Sequence, residues 1–220
     1  MKPKSLQVSD PSAQETAPAP YHHGALREAL LVAAEEILLE RGVEGFTLRN
    51  CARRAGVSHA APAHHFGDVK GLLTEFAAIG FDRMTALMRQ YVVTANRDGG
   101  MPLHALGRAY IDFAMLHRAH FQLMFRYDLL DHTNAHLSEA GGAAYAELES
   151  VIEAADPGGS GNETRRLLVW SAVHGFATLL LEGKLDAFYG HKDRKRIAQE
   201  AGDALLGMLT NPSQSERSAA

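Results

Sequence analysis

Apolar residues recur three and four apart along almost the whole chain. Leu26, Ala29, Leu30, Ala33, Ala34, Ile37 and Leu38 form one face of a helix, with Arg27, Glu28 and Glu35 on the other, and Gly42 ends it. Leu72, Leu73, Phe76, Ala77, Phe81, Met84 and Leu87 do the same for a long helix from Lys70 onward. Two short helices lie between: LRNCARRA with Thr47 as its N-cap, and a second capped by Ser58 and closed by His65, Phe66, Gly67 and Asp68. Further helices are predicted at 103 to about 117, about 120 to 130, roughly 137–155, 164 to about 185, and 193–209, with DPGGSGNE at 156–163 as a clear break. No run alternates with period two between hairpin turns, and no fixed-period repeat is present. The expected fold class is all-α: an N-terminal three-helix helix-turn-helix domain followed by a helical C-terminal domain.

Composition narrows this picture. The 220 residues are 46% hydrophobic and 22% charged, with a formal charge of -4 and a pI near 6.3, which is ordinary for a soluble globular protein. The stretch 1–20, rich in Pro, Ser, Ala and Gln, lacks the apolar segment of a signal peptide and is expected to be a disordered tail, as is 211–220. Cys51, the single cysteine, rules out an internal disulfide and fits a reducing, cytoplasmic setting. It falls on the core face of its helix, so a buried packing residue is expected rather than a redox sensor, which needs an exposed thiol. The longest nearly charge-free run, Leu167 to Leu181, falls short of the roughly 20 apolar residues a bilayer span needs, so no membrane partner is expected.

Charge is not spread evenly. Between Thr47 and Lys70 the bases are Arg49, Arg53, Arg54 and Lys70 and the only acid is Asp68, with His59, His64 and His65 added. Two short helices joined by AGVS form a helix-turn-helix pattern, and Gly56 suits a turn that needs positive φ. The second helix is slim: Ala60, Ala61 and Ala63 let its backbone approach another surface, and Pro62 is tolerated near the helix start. A basic patch on such a pair in an acidic protein is the footprint expected for a duplex, with the slim helix in the major groove.

The segment YHHGALREALLVAAEEILLERGVEGFTLRNCARRAGVSHAAPAHHFGDVKGLL, 21–73, resembles the DNA-binding domain of the TetR family of transcriptional repressors. The downstream WSAVHGFATLLLEGKL, 170–185, looks like the WHG-type C-terminal domain of one branch, in which the tripeptide AAP also recurs. The resemblance implies a DNA-binding domain at 21–70, a ligand-binding and dimerisation domain at 71–210, and a set of roles. Thr47 would cap its helix and touch a phosphate, Arg49 would reach a phosphate or a base, Ser58 would open the recognition helix, and His59, Ala60 and Ala61 would face base edges. The family usually has a phosphate-binding tyrosine where this chain has Ala63, so His64 and above all His65 would carry more of that contact. The family lysine is replaced by Val69, and Lys70 would stand in.

The remaining chemistry lies in the C-terminal half. Phe113, His117, Phe121, Met124, Phe125, Trp170 and His174 form an apolar, aromatic set that would either fill the core or line a small-molecule pocket. They point to an uncharged or weakly polar effector. His117 and His120 are three apart, His132 and His136 four apart, which can put each pair on one helical face. Without a cysteine cluster or HExxH they are expected to be ordinary core or surface histidines, with no metal and no cofactor. No arrangement of nucleophile, base or phosphate loop suggests an enzyme. The small residues Ala172, Gly175 and Ala177 in the apolar 167–181 helix, with Ile197, Ala201, Leu205 and Met208 in the last, predict a four-helix interface across a two-fold axis. The reading is therefore a ligand-responsive homodimeric repressor on a palindromic double-stranded operator. The alternative is a helical metal- or cofactor-binding protein that uses the central histidines and leaves the basic segment without a task.

Overall fold

The computed structural model describes residues 23–189 and 193–210; the tails expected at 1–20 and 211–220 lie outside them. Among the described residues there are ten α-helices, one 3-10 turn and no strand. The helices are α1 (His23–Arg41), α2 (Leu48–Ala55), α3 (Ala61–Phe66), α4 (Val69–Asp98), α5 (Pro102–Leu116), α6 (Arg118–Met124), α7 (Ala135–Ala155), α8 (Asn162–Leu181), α9 (Asp186–Tyr189) and α10 (Arg194–Thr210), with the 3-10 turn at Tyr127–Leu129 between α6 and α7.

Local sequence explains most boundaries. Gly42 takes φ 67° directly after α1. The Thr47 hydroxyl accepts the Asn50 N–H at 3.1 Å and caps α2. Gly56, in the left-handed region at φ 68°, ends α2, after which the Val57 N–H donates to the Ala52 carbonyl at 3.0 Å. Asp68 caps α4 by accepting the Gly71 N–H at 2.8 Å. The 30 residues of α4 span about 45 Å at about 1.5 Å per residue.

That helix is the spine of the molecule. Its first turns carry Leu72, Leu73 and Phe76 into the same buried cluster as Leu30, Ala34 and Cys51 of the head formed by α1–α3. Further along, Met84 and Met88 join Ile111, Leu148 and Val173 of the body. One apolar core runs through both, and the boundary expected after residue 70 falls inside α4 rather than in a linker. No described helix is long and apolar enough to cross a membrane.

Several expectations change. The helix placed at about 120–130 ends at Met124, because Phe125 turns into a cluster with Phe81, Phe121 and His174, at ring separations of 5.6, 5.5 and 4.6 Å. The helix expected to reach 185 stops at Leu181, where Gly183 turns the chain at φ 71°. His132 and His136 do not share a helix. His132 precedes α7, stacked on Tyr127 at 3.7 Å, while His136 lies in α7 beside Glu75 and Asp82 of α4. Ile197, expected at an interface, is fully buried in the chain's own core, as is Ala177.

Candidate nucleic-acid interface and cavities

The α2–α3 pair presents its polar side outward. Thr47, Arg49, Arg53, Ser58, His59, Ala60, Ala63, His64, Val69 and Lys70 are exposed, and Ala61 and His65 are half-buried. Behind them Cys51, Ala52 and Pro62 are buried, and Val57 and Phe66 pack on the core. The proline is thus a packing residue as well as a tolerated one. It occupies the first turn of α3, where a missing N–H costs no intrahelical bond. The slim outer face expected of α3 is present: only β-carbons separate its backbone from solvent at Ala60 and Ala63.

Two parts of the expected patch differ. Ser58 does not cap α3; its carbonyl accepts the Ala61 N–H at 3.1 Å, a turn intervenes, and Ala60 holds the N-cap position without a side-chain bond. Arg54 is exposed but engaged by α1. Its guanidinium forks onto Glu40 of α1 with two 2.6 Å bonds and also reaches Glu36 at 3.3 Å. It clamps α2 to α1, and the hydrogen bonds from Arg54 hold the Glu40 carboxyl below the usual range. Arg49, Arg53 and Lys70 are exposed and are not part of this clamp. His65 lies with its ring 6.2 Å from Phe66, and Arg27 of α1 stands over the Phe66 ring at 5.8 Å.

The apolar set of the C-terminal half divides. A cavity of about 290 Å³ is lined by Met84 and Met88 of α4, Tyr110, Phe125 and Trp170, together with Phe81, Leu148 and Val173. Of the seven candidates only Phe125 and Trp170 line it. Phe121 and His174 line a second cavity of about 420 Å³, which opens between the Gly42–Glu44 turn of the head and α6 and α8. Phe113 is fully buried and packs on His117 at 5.0 Å, and Met124 is buried near His132 and Leu137. Phe125 borders both cavities. A 2.8 Å hydrogen bond between the Tyr110 hydroxyl and His174 Nδ1 lies between them. Burial pushes the Tyr110 hydroxyl up and the His174 ring down, favouring the neutral form of each. Among these linings the one at α4 is the more apolar, which suits a ligand with little charge.

His117 and His120 lie where the body meets the head. His117 is the joint between α5 and α6, and His120 lies one turn further on, buried at 1% exposure. Glu35 of α1 joins them: one ligand atom from each of the three lies within 4.8 Å of the others. Burial first, then Arg83 and His117, pushes the His120 ring down to about 3. Burial and Arg83 lower His117 as well, against an opposing pull from Glu35. The sequence reading missed Glu35, because a single acid on the polar face of an N-terminal helix carries no sign of two histidines some eighty residues away.

Comparison with known proteins places these features in a family. Residues 30–76, from α1 into α4, match the family described as "Bacterial regulatory proteins, tetR family". Residues 103–205 match "Tetracyclin repressor-like, C-terminal domain". The HTH-type transcriptional repressor BepR of Brucella suis biovar 1 (strain 1330) is 35% identical over 85 residues, a match spanning 39% of this chain and 39% of that repressor. A protein of unknown function from Rhodococcus sp. RHA1 is 35% identical, with a TM-score of 0.67 over 85% of this chain and 96% of that one. A bacterial regulatory protein in the tetR family from Rhodococcus RHA1 is 18% identical and shares the fold, with a TM-score of 0.60 over 84% of this chain and 96% of the other. With a helix-turn-helix head and a C-terminal body each matched in order along a single all-α chain, the protein belongs to the TetR family of transcriptional regulators.

Proposed function

We propose that this chain is a cytoplasmic, effector-controlled repressor that binds an inverted-repeat duplex operator as a homodimer. The observation that carries this reading is the course of α4. It starts beside α3, capped by Asp68, and its Met84 and Met88 are walls of the apolar cavity. One rigid element therefore joins the DNA-facing head to a site for a small apolar or weakly polar molecule. A ligand that fits the cavity better when α4 is displaced favours the conformation that does not match the operator.

Thr47, Arg49, Arg53 and Lys70 supply phosphate contacts, and the outer face of α3, with His59, Ala60, Ala61, Ala63 and His64, enters the major groove. His65, half-buried beside Phe66, stands at the edge of this surface. Dimerisation uses the outer sides of α8 and α10. There Leu167, Leu168, Leu179 and Met208 are 58, 60, 44 and 68% exposed. An added β-carbon at Gly175 would meet nothing within 4 Å, so a partner helix can approach closely.

Selection of bound sequences from a random duplex pool tests the core of this proposal. Inverted repeats are expected, with half-site centres about 34–36 Å apart or a multiple of that. Retention should fall steeply as salt rises. Failure to enrich any sequence at low salt, together with a monomer in sedimentation, would refute it.

A further inference from the structure

The structure assigns a binding site for one divalent transition-metal ion to Glu35 of α1, His117 at the α5–α6 joint and His120 of α6. It lies on the seam between the head and the body. Two imidazoles and a carboxylate form a ligand set that zinc accepts, with a further position left for water.

His120 is the observation that points to a ligand. Its side chain is 2% exposed, yet its Nδ1 has no hydrogen-bond partner and faces Glu35 Oε1 at 3.8 Å. Buried ring nitrogens are ordinarily bonded, and leaving one unpaired is costly. The ring is held in place for this role. It stacks on Phe76 at 3.8 Å and 22°, and it lies against Gly80, where an added β-carbon would stand 3.0 Å from the His120 Cβ. His117 is steadied by Phe113 at 5.0 Å. Bonds of about 2.0–2.2 Å would draw the ligand atoms to roughly 3.3 Å apart. Glu35 and His117, both only half-buried, can make that closure while His120 stays fixed.

Arg83 is the opposing group. Its Nη1 lies 3.4 Å from His120 Nε2, and a guanidinium can only donate. In this arrangement Nε2 accepts and Nδ1 carries the ring proton. Binding an ion at Nδ1 moves that proton to Nε2 and turns Arg83 away, which its exposed position on α4 permits. Because Glu35 belongs to the head and both histidines to the body, a bound ion ties the two together. Its effect on operator affinity rests on the function proposed above; the ion site itself does not.

The test is titration of the untagged full-length chain with Co²⁺, followed by the visible spectrum of the ligated ion, and displacement of Co²⁺ by Zn²⁺. One ion per chain is expected. Glu35→Gln and His117→Ala should each weaken it about tenfold or more, since even losses behind the first ligands reach that size. Arg83→Gln should bind as tightly or more tightly. His64→Ala and His136→Ala should leave binding unchanged. Far-ultraviolet dichroism and melting of each variant establish that it is folded. The proposal is overturned if neither ion binds saturably. It is equally overturned if one-to-one binding survives both Glu35→Gln and His117→Ala, which places the ion on other histidines. An ion that binds as expected but leaves duplex affinity unchanged upholds the site and removes only its coupling to DNA.

Discussion

A β-carbon on Gly71 would overlap the carbonyl oxygen of Phe66, the last residue of α3. That close approach lets the chain turn from the recognition helix into the spine within two residues. The obstacle is backbone, not a side chain that can swing aside. Gly71→Ala should therefore destabilise the head by on the order of 1–3 kcal/mol, seen as lost duplex binding ahead of the main thermal transition. Cys51 sits nearby, fully buried, with its thiol 3.3 Å from the Leu30 carbonyl and pushed up to about 11 by burial. It should resist alkylation in the native protein at neutral pH and react once the chain is unfolded; rapid native labelling would show the packing to be wrong. His136 makes the opposite case. Its hydrogen bond to Asp82 at 2.8 Å, aided by Glu75, raises it above the ordinary 6.5. The Glu75 carboxylate is shared with Arg27 of α1. A raised folded-state value means the stabilisation is fully present below the unfolded value and fades as pH rises through the folded one. The melting difference between the parent and His136→Gln should thus be larger at pH 5.5 than at pH 8, and a pH-independent difference would contradict the ion-pair account.

At the scale of elements, Arg54 separates two kinds of basic residue. It is bonded to Glu40 and Glu36, so Arg54→Ala should loosen α2 from α1 and lower the melting temperature. It should leave the slope of log affinity against log salt nearly unchanged, whereas Lys70→Ala should reduce that slope by about one. A reversed pattern would move Arg54 onto the duplex. The sequence made the short, capped elements legible because their signals are local: Thr47 before α2, Gly56 after it, Gly42 after α1. It failed where distant partners decide. A serine before a short apolar run looks like a cap, but Pro62 is drawn into the core and α3 starts three residues after Ser58. The break after Met124 has no glycine or proline to announce it; the pull comes from Phe81 and His174, far along the chain. The aromatic set was recognisable as apolar, but its division between two cavities was not. Phe121 lies within α6 and Phe125 just past its end; both border the cavity beside the Gly42–Glu44 turn, and only Phe125 also reaches the one at α4.

At the scale of the molecule, the proposed function requires a route by which a small ligand in the body would release a duplex held by the head. The continuous core makes the route mechanical, since a packed interior has few intermediate arrangements available to it. In the proposed mechanism, a molecule entering the apolar cavity would push on Met84 and Met88, and α4 would carry that displacement toward α3. Linkage requires the operator to weaken the ligand by the factor with which the ligand weakens the operator. Trp170 reports on the same cavity because it lines the wall and is 41% exposed, so its replacement need not collapse the core. Titrating apolar, aromatic and lipid-like compounds against a labelled operator complex should yield compounds that shift Trp170 fluorescence and release DNA over the same concentration range. Trp170→Ala should blunt release while leaving operator affinity in the absence of ligand within about twofold, as expected for a site distant from the duplex. Phe121→Ala should behave differently. Phe121 is 3% exposed and packed on Tyr110 and Phe125, so its loss should cost about 3–5 kcal/mol of stability. If Trp170→Ala responds to ligand like the parent while Phe121→Ala folds normally and fails to respond, the effector occupies the cavity beside the Gly42–Glu44 turn, and the head is moved by direct contact rather than through α4.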